Sequence, residues 1–157
     1  MLKTHFRNLI SALMIASIFF ISPAFAGKKE DAVSLVQKGI AFYKKNGEAK
    51  TMSAINDKHM FQKGDLYLWV IRSDSKNKAM VVAHGTNKTI PGKEWYNVKD
   101  PDGKYFIHEI CDIAKTKGNG WVEYRWAHPK LKKAKPKVTY LERVNDLIFM
   151  CGYYKVN

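Results

Sequence analysis

After residue 30, apolar positions recur at three- and four-residue spacing, which predicts an amphipathic helix. The apolar stripe consists of Ala32, Leu35, Val36, Gly39, Ile40 and Tyr43, and the lysines of this segment lie off the stripe. Asn46-Gly47 ends this helix, and residues 48–55 predict a short second helix before a break at Asn56-Asp57. The domain is therefore expected to begin with an αα pair.

Strand patterns follow. Residues 65–71 (DLYLWVI) are rich in aromatic and β-branched side chains, and with residues 79–84 they predict a two-stranded hairpin. Residues 86–99 show no sustained period and predict a long loop, which ends at the turn sequence Asp100-Pro101-Asp102-Gly103. Helical spacing returns over residues 105–117 and stops at Gly118-Asn119-Gly120.

Three strands are predicted in the remainder, at residues 121–126, 137–144 and 147–155. A lysine-rich loop over residues 128–136 joins the first two, and an Asn145-Asp146 turn joins the last two. The order is therefore ααββαβββ. One helix between a hairpin and a three-strand meander predicts an α+β domain with one antiparallel sheet of about five strands and helices on one side of it.

The N-terminus has the pattern of a secretory leader. Lys3 and Arg7 precede an apolar run over residues 9–21, and Ala24-Phe25-Ala26 supplies the small residues of a cleavage site. We expect a cleavable signal peptide over residues 1–26, a single domain over residues 27–157 and a periplasmic location. An uncleaved N-terminal anchor is the alternative.

The chain is strongly basic, with 27 Lys+Arg against 14 Asp+Glu and a formal net charge of +13. Such an excess suits nucleic acid, an anionic envelope surface or small anions. Because the chain is expected to be exported, nucleic acid fits least well of these three partner classes. We therefore expect the lysine-rich loop to be a solvated loop or a rim that steers anions.

Candidate catalytic and metal-binding groups are sparse. Cys111 and Cys151 could pair in an oxidising compartment or remain buried thiols, and the sequence leaves both open. His108, Cys111 and Asp112 fall on one helical turn, but a zinc site needs three or four ligands. Cys151 and His84 could form a catalytic thiol and base pair, but the sequence shows no group that would orient the imidazole. We therefore expect that the protein is not an enzyme and has neither a cofactor nor a metal site.

Several sequence segments together resemble a single Cache domain. They are D-L-Y-L-W-V in the hairpin, D-P-D-G-K before the third helix, G-x-G-W-V-E-Y-R-W after it, and K-V-T-Y before the final C-G-Y-Y. The resemblance covers about residues 30–156. It implies a PAS-like antiparallel sheet whose open face holds a small extracytoplasmic ligand, often a carboxylate, as in chemoreceptors and sensor kinases. The chain is similar to the free-standing periplasmic form of the family.

A small-carboxylate site needs a fixed cation or several donors within an aromatic wall. The candidate residues are Tyr67, Trp69, His84, Tyr124, Trp126, Lys137 and Tyr140. The resemblance implies that Lys137 pairs with the carboxylate. Without the resemblance, Lys137 is expected to be another solvated lysine, and the aromatic residues suit ordinary sheet core as well as a pocket wall. Lys137 and Tyr140 have opposite strand parity, so they share a face only if a bulge intervenes or Lys137 lies at the strand's entry. The His-Pro that the family often has is here His84-Gly85.

The function expected from the resemblance is a periplasmic sensor module that binds a small organic acid or similar anion in signal transduction or chemotaxis. A membrane receptor or sensor kinase is the expected downstream partner, and the N-terminal helix is a candidate homodimer interface. The alternative is an interaction module without a ligand, which uses its basic surface on an envelope partner.

Overall fold

The computed structural model describes residues 23–57, 60–74 and 77–155. Its elements, in chain order, are α1 (Pro23–Asn46), α2 (Glu48–Asn56), β1 (Gln62–Lys63), β2 (Leu66–Asp74), β3 (Lys78–His84), α3 (Phe106–Thr116), β4 (Asn119–Ala127), β5 (Ala134–Val144) and β6 (Leu147–Tyr154). Residues 1–22 of the predicted leader lie outside the described residues, and its last four residues form the start of α1. None of the helices in the described ranges combines the length and apolar character that a bilayer crossing requires.

The predicted α+β class and the sheet of about five long strands are confirmed. The long strands are antiparallel in the spatial order β3-β2-β6-β5-β4, and the short β1, which the sequence analysis missed, pairs with the start of β2. Strand β5 begins at Ala134, so the lysine-rich loop is shorter than predicted. Across the sheet, Lys137 pairs with Tyr124 of β4 and with Tyr154 of β6. Directly paired residues point to the same face, so these three side chains are neighbours.

Both faces of the sheet are covered, which corrects the expectation of helices on one side. We call them the α1 face, covered by α1 and α2, and the α3 face, covered by α3 and residues 85–105. Leu68 and Phe149 of the sheet belong to the core of the α1 face, and Trp69 and Met150 to that of the α3 face. Because β2 and β6 carry apolar side chains on both faces, each face needs its own cover. Both cores lie within residues 32–153.

The segment predicted as a long loop runs beside β3. The N–H of Gly92 donates to the carbonyl of Val81 at 2.7 Å, and the N–H of Trp95 donates to Ala79 at 2.8 Å. These bonds cover the outer edge of β3, which otherwise exposes unpaired backbone groups. They also hold the buried Trp95 on the α3 face.

Gly85 allows a close backbone approach at the end of β3. Its N–H donates to the carbonyl of Leu68 at 2.9 Å. A Cβ at this position would lie 2.9 Å from the same oxygen, so a side chain would push β3 away from β2. The glycine after His84 is thus explained by packing.

The predicted turn at residues 100–103 depends on one carboxylate. Asp100 is buried, and its Oδ1 accepts hydrogen bonds from the N–H groups of Asp102 at 3.0 Å and Lys104 at 2.9 Å. Its Oδ2 accepts from the N–H of Arg125 on β4 at 3.0 Å. Burial opposes ionisation, but these three bonds together lower the pKa of Asp100. The turn that leads into α3 is thereby fixed to β4.

We expect Asp100→Ala to lower the free energy of unfolding by about 2–3 kcal/mol, because charge-assisted bonds at a buried position are lost. Since the pKa of Asp100 is lowered in the folded state, its contribution is complete above its ordinary pKa of 3.8 and declines as the pH falls below that value. Urea denaturation measures both effects. Asp102→Ala, which removes an exposed ion pair with Arg125, should cost less than about 1 kcal/mol; equal losses for the two variants would show that the buried carboxylate has no special role.

Candidate functional site

A lysine lies buried inside the sheet. Lys137 is 1% exposed and occupies the interior of β5. Its Nζ donates to the hydroxyl of Tyr67 at 2.7 Å and lies 4.2 Å and 5.1 Å from the ring centroids of Tyr67 and Tyr154. No salt bridge found among the described residues involves Lys137. Aromatic rings and a hydroxyl therefore take the place of a carboxylate around the amine.

Burial has an electrostatic consequence at Lys137. Removing an ammonium ion from water without a charged partner is costly. Desolvation accordingly lowers the pKa of Lys137, and the neighbouring Tyr154 and Cys151 act in the opposite direction. An anion placed beside this amine would supply the missing countercharge.

Gly152 makes room for the lysine on the neighbouring strand. A Cβ at Gly152 would lie 2.7 Å from Cε of Lys137 and 2.3 Å from Oγ1 of Thr139. Any larger residue would displace the lysine side chain or separate β5 from β6. The position of the amine therefore depends on this glycine.

His84 brings a neutral donor to the same face. It is 4% exposed, and its Nδ1 accepts from the backbone N–H groups of Thr86 at 3.4 Å and Asn87 at 3.2 Å. With Nδ1 as acceptor, the proton of the neutral ring is assigned to Nε2. Burial, with the nearby charge of Lys137, lowers the pKa of His84 to about 3. The ring centroid lies 5.0 Å from that of Tyr67.

Trp69 carries a buried polar atom without a partner. Its Nε1 is the one buried side-chain nitrogen or oxygen in the described part of the chain that makes no hydrogen bond. An unsatisfied buried donor costs about 1–3 kcal/mol. Its ring lies 6.3 Å from His84 and 5.9 Å from Trp95, between centroids. A ligand that accepted this N–H would remove the cost.

Aromatic rings close the α3 face around these donors. Trp95 lies 5.4 Å from Trp126 of β4, and Phe106 of α3 stacks on Tyr124 at 4.2 Å, between centroids. The Oγ1 of Thr139 donates to the hydroxyl of Tyr124 at 3.0 Å. These residues are largely buried, so the wall excludes water.

The structure brings six of the seven sequence candidates to the α3 face: Tyr67, Trp69, His84, Tyr124, Trp126 and Lys137. Tyr140 does not join them. It packs in the core of the α1 face, 5.1 Å from Trp121 between ring centroids. Lys137 lies inside β5 rather than at its entry, and the β5 pairings run without a register shift. Strand parity therefore separates the two residues, and the expectation that Tyr140 converges with Lys137 is wrong.

Sequence reasoning missed four neighbours of the amine and its aromatic wall: Trp95, Phe106, Gly152 and Tyr154. Tyr154 could have been found from the pairing of β5 with β6. Trp95 and Phe106 lack such a signal, because their positions depend on how residues 85–105 cross the sheet.

The other candidate groups lie outside the aromatic wall, although Cys151 is close enough to Lys137 to affect its pKa. Cys111 and Cys151 are both free, and the hydroxyl of Ser73 donates to the Sγ of Cys111 at 3.4 Å. Cys151 belongs to the core of the α1 face, where burial raises its pKa to about 12. His108 stacks between Tyr96 and Tyr105. In the described ranges, no group of three or more His, Cys, Asp or Glu residues is arranged to hold a metal ion.

The sequence matches one known family. The model of the Cache domain family aligns with residues 28–154, a span that contains both cores and every residue of the site described above.

Solved structures of similar fold agree with this match. A Cache chemosensory domain studied for carboxylic acid recognition is 24% identical, with a TM-score of 0.69 over 85% of this chain and 97% of its own. The periplasmic sensor domain of a chemotaxis protein is 21% identical, with a TM-score of 0.64 over 85% and 94%. A methyl-accepting chemotaxis protein from Vibrio parahaemolyticus is 18% identical, with a TM-score of 0.69 over 83% and 90%. At these identities the likeness establishes the fold.

We expect Lys137→Met to stabilise the ligand-free protein by about 1–2 kcal/mol near pH 7, because a buried charge is replaced by an apolar chain. The hydroxyl of Tyr67 keeps Tyr154 and Thr86 as hydrogen-bonding neighbours. Urea denaturation gives the free energy of unfolding, and Lys135→Met, on the same strand but half-buried, is the matched control.

The pH dependence gives a second readout of the same variant. Because the pKa of Lys137 is lowered in the folded state, the native protein releases the Lys137 proton at a lower pH than the unfolded chain does. As the pH rises toward the ordinary value of 10.5, the unfolded chain therefore holds more protons than the native protein. The wild type should gain stability in that range relative to Lys137→Met. Parallel pH profiles for the two proteins would contradict a lowered pKa.

Proposed function

Because the chain belongs to the Cache domain family of extracytoplasmic sensor modules, we propose that it is a periplasmic sensor that binds a small organic anion, a carboxylate, on the α3 face of its sheet. The observation that carries this proposal is the Lys137 amine, which is buried among aromatic rings without an ion pair among the described residues.

The polar groups of the site favour an acceptor-rich ligand. Lys137 supplies an ammonium group, His84 an Nε2–H and Trp69 an Nε1–H, and all of these donate. A carboxylate has two oxygens and no donors, and charge-assisted bonds to it are about twice as strong as neutral ones. The site therefore matches a carboxylate better than an amine.

Ligand entry requires residues 85–105 to move. The amine and the surrounding rings are buried, and the segment that carries Trp95 closes the α3 face. This segment is attached to the sheet by a few backbone bonds along β3 and by Asp100, so it is the part of the cover that can lift. A bound anion would then stabilise the closed arrangement through Lys137.

Two further observations support the location and the ligand class. The predicted leader over residues 1–26 directs the chain to the periplasm, and one of the similar structures is a periplasmic sensor domain. Another similar structure is a domain studied for carboxylic acid recognition. The downstream partner in this proposal is a membrane receptor or sensor kinase, and a homodimer through α1 remains a prediction.

A thermal-shift screen tests the ligand class. We expect a saturable rise in Tm with small carboxylates and none with amines or purines, because a ligand that binds the native state stabilises it by mass action. Since no core residue precedes Ala32, the chain from Gly27 onward keeps every core residue, loses only the first four residues of α1 and is suitable for this assay. Lys137→Met should abolish the shift, and Lys135→Met should retain it.

No shift with any carboxylate would argue against the sensor proposal and favour the interaction module without a ligand. A shift that survives in Lys137→Met would place the binding site elsewhere.

Trp69→Phe tests the unpaired donor separately from the charge. The variant keeps an aromatic ring but removes the N–H, so carboxylate affinity should fall about tenfold if that group bonds the ligand. Titration calorimetry measures the dissociation constant, and Trp121→Phe, which changes a tryptophan that packs on the α1 face, is the control. Equal affinities for wild type and Trp69→Phe would exclude the indole N–H from the site.

A further inference from the structure

The loop between β4 and β5 presents lysines at one end of the domain. We propose that this loop docks the domain onto an anionic phospholipid bilayer, independently of the ligand site on the α3 face. The basic end, as the name is used below, consists of the loop lysines Lys130, Lys132, Lys133 and Lys135 together with Lys28 and Lys63, which line a cavity with Asp65, the ion-pair partner of Lys130.

The loop is held in a defined conformation by a buried histidine. His128 is 4% exposed, and its Nδ1 faces the backbone N–H groups of Lys130 at 3.2 Å and Leu131 at 3.4 Å. The backbone N–H of His128 donates to the carbonyl of Lys133 at 2.9 Å, and the imidazole ring packs against Tyr154 at 4.5 Å between centroids. The loop is therefore ordered before it meets a partner, and docking costs little conformational entropy.

Most of the lysines in the loop between β4 and β5 have no ion-pair partner among the described residues. Asp65 pairs with Lys130 at 3.0 Å. Within the described residues, no salt bridge to Lys132, Lys133 or Lys135 is found. The three lysines without an ion pair produce a local positive potential, which attracts anionic headgroups.

An exposed apolar side chain lies among these lysines. Leu131 is 48% exposed, the largest exposed fraction among the large hydrophobic residues described. Its neighbours Lys130 and Lys132 are both exposed. A leucine flanked by cations suits the boundary between headgroups and acyl chains, where the apolar side chain inserts and the amines stay with the phosphates. This combination favours a bilayer over an acidic protein surface.

The start of α1 lies at the same end of the domain. A cavity of about 250 Å³ is lined by residues of α1, the β1–β2 turn and β6, among them Lys28, Lys63 and Tyr154. Lys63 also pairs with Asp31 of α1 at 2.8 Å. Lys28 of α1 therefore adds its positive charge to that of the loop at this end.

Vesicle co-sedimentation of the chain from Gly27 onward tests the proposal without the apolar run. We expect binding to vesicles of phosphatidylglycerol and phosphatidylcholine, no binding to phosphatidylcholine alone, and a steep loss of binding as salt increases. The variant Lys132→Gln/Lys133→Gln should bind about 25-fold more weakly, since each lysine near an anionic surface contributes about a fivefold factor.

Lys44→Gln/Lys45→Gln is the matched control, because these exposed lysines lie in the last turn of α1 and the variant has the same net charge. It should retain vesicle binding, and Leu131→Gln should weaken it. Equal weakening by the two lysine pairs would overturn the proposal in favour of net charge alone. No binding to protein-free anionic vesicles would also overturn it and would point to a protein partner at the basic end.

Discussion

The burial of the Lys137 amine in the middle of a β-sheet is the constraint on which the functional site depends. The amine is held there by the register of β4, β5 and β6, which places Lys137 beside Tyr124 and Tyr154. Gly152 leaves the space that its side chain occupies. A charge in such a place reduces stability unless a partner of opposite charge is present. In the proposed function, a bound anion relieves this unfavourable interaction of the free protein.

The two faces of the sheet are covered in different ways. On the α1 face, α1 and α2 pack against Leu68, Val70 and Phe149 in an apolar core. On the α3 face, the cover includes the segment over residues 85–105, whose backbone bonds to β3 are few. In the proposed function, the α1 face stays packed while this segment lifts, which breaks its backbone bonds to β3 and takes Trp95 out of the core.

Much of the fold could be predicted from the sequence because residues that end helices and strands stand at clear positions. Asn46-Gly47, the Asp100 turn and Gly118 ended elements where expected. The shared face of the candidate-site residues on β2 and β4 was also predictable, since alternation places Tyr67 with Trp69 and Tyr124 with Trp126. Lys137 could be singled out only through the family resemblance, because a lysine at the end of a lysine-rich run looks exposed.

The rest depended on tertiary packing. Tyr140 was misplaced because β5 begins at Ala134, three residues before the predicted start, which puts Lys137 in regular alternation. The helices were assigned to one side because the pattern of α3 indicates an apolar stripe but not which face of the sheet it covers. Trp95 was not predicted to lie on the α3 face, because an irregular segment has no hydrophobic period that shows which way its side chains point.

The central claim is that an anion binds beside a buried Lys137 whose pKa is lowered in the free protein. The most direct measurement is the titration of Lys137 by NMR in protein labelled at the lysine Cε carbon, with Lys137→Met to assign the resonance. We predict a pKa below the ordinary 10.5 in the free protein and a rise when a saturating small carboxylate is present. An ordinary pKa that no carboxylate changes would contradict the account.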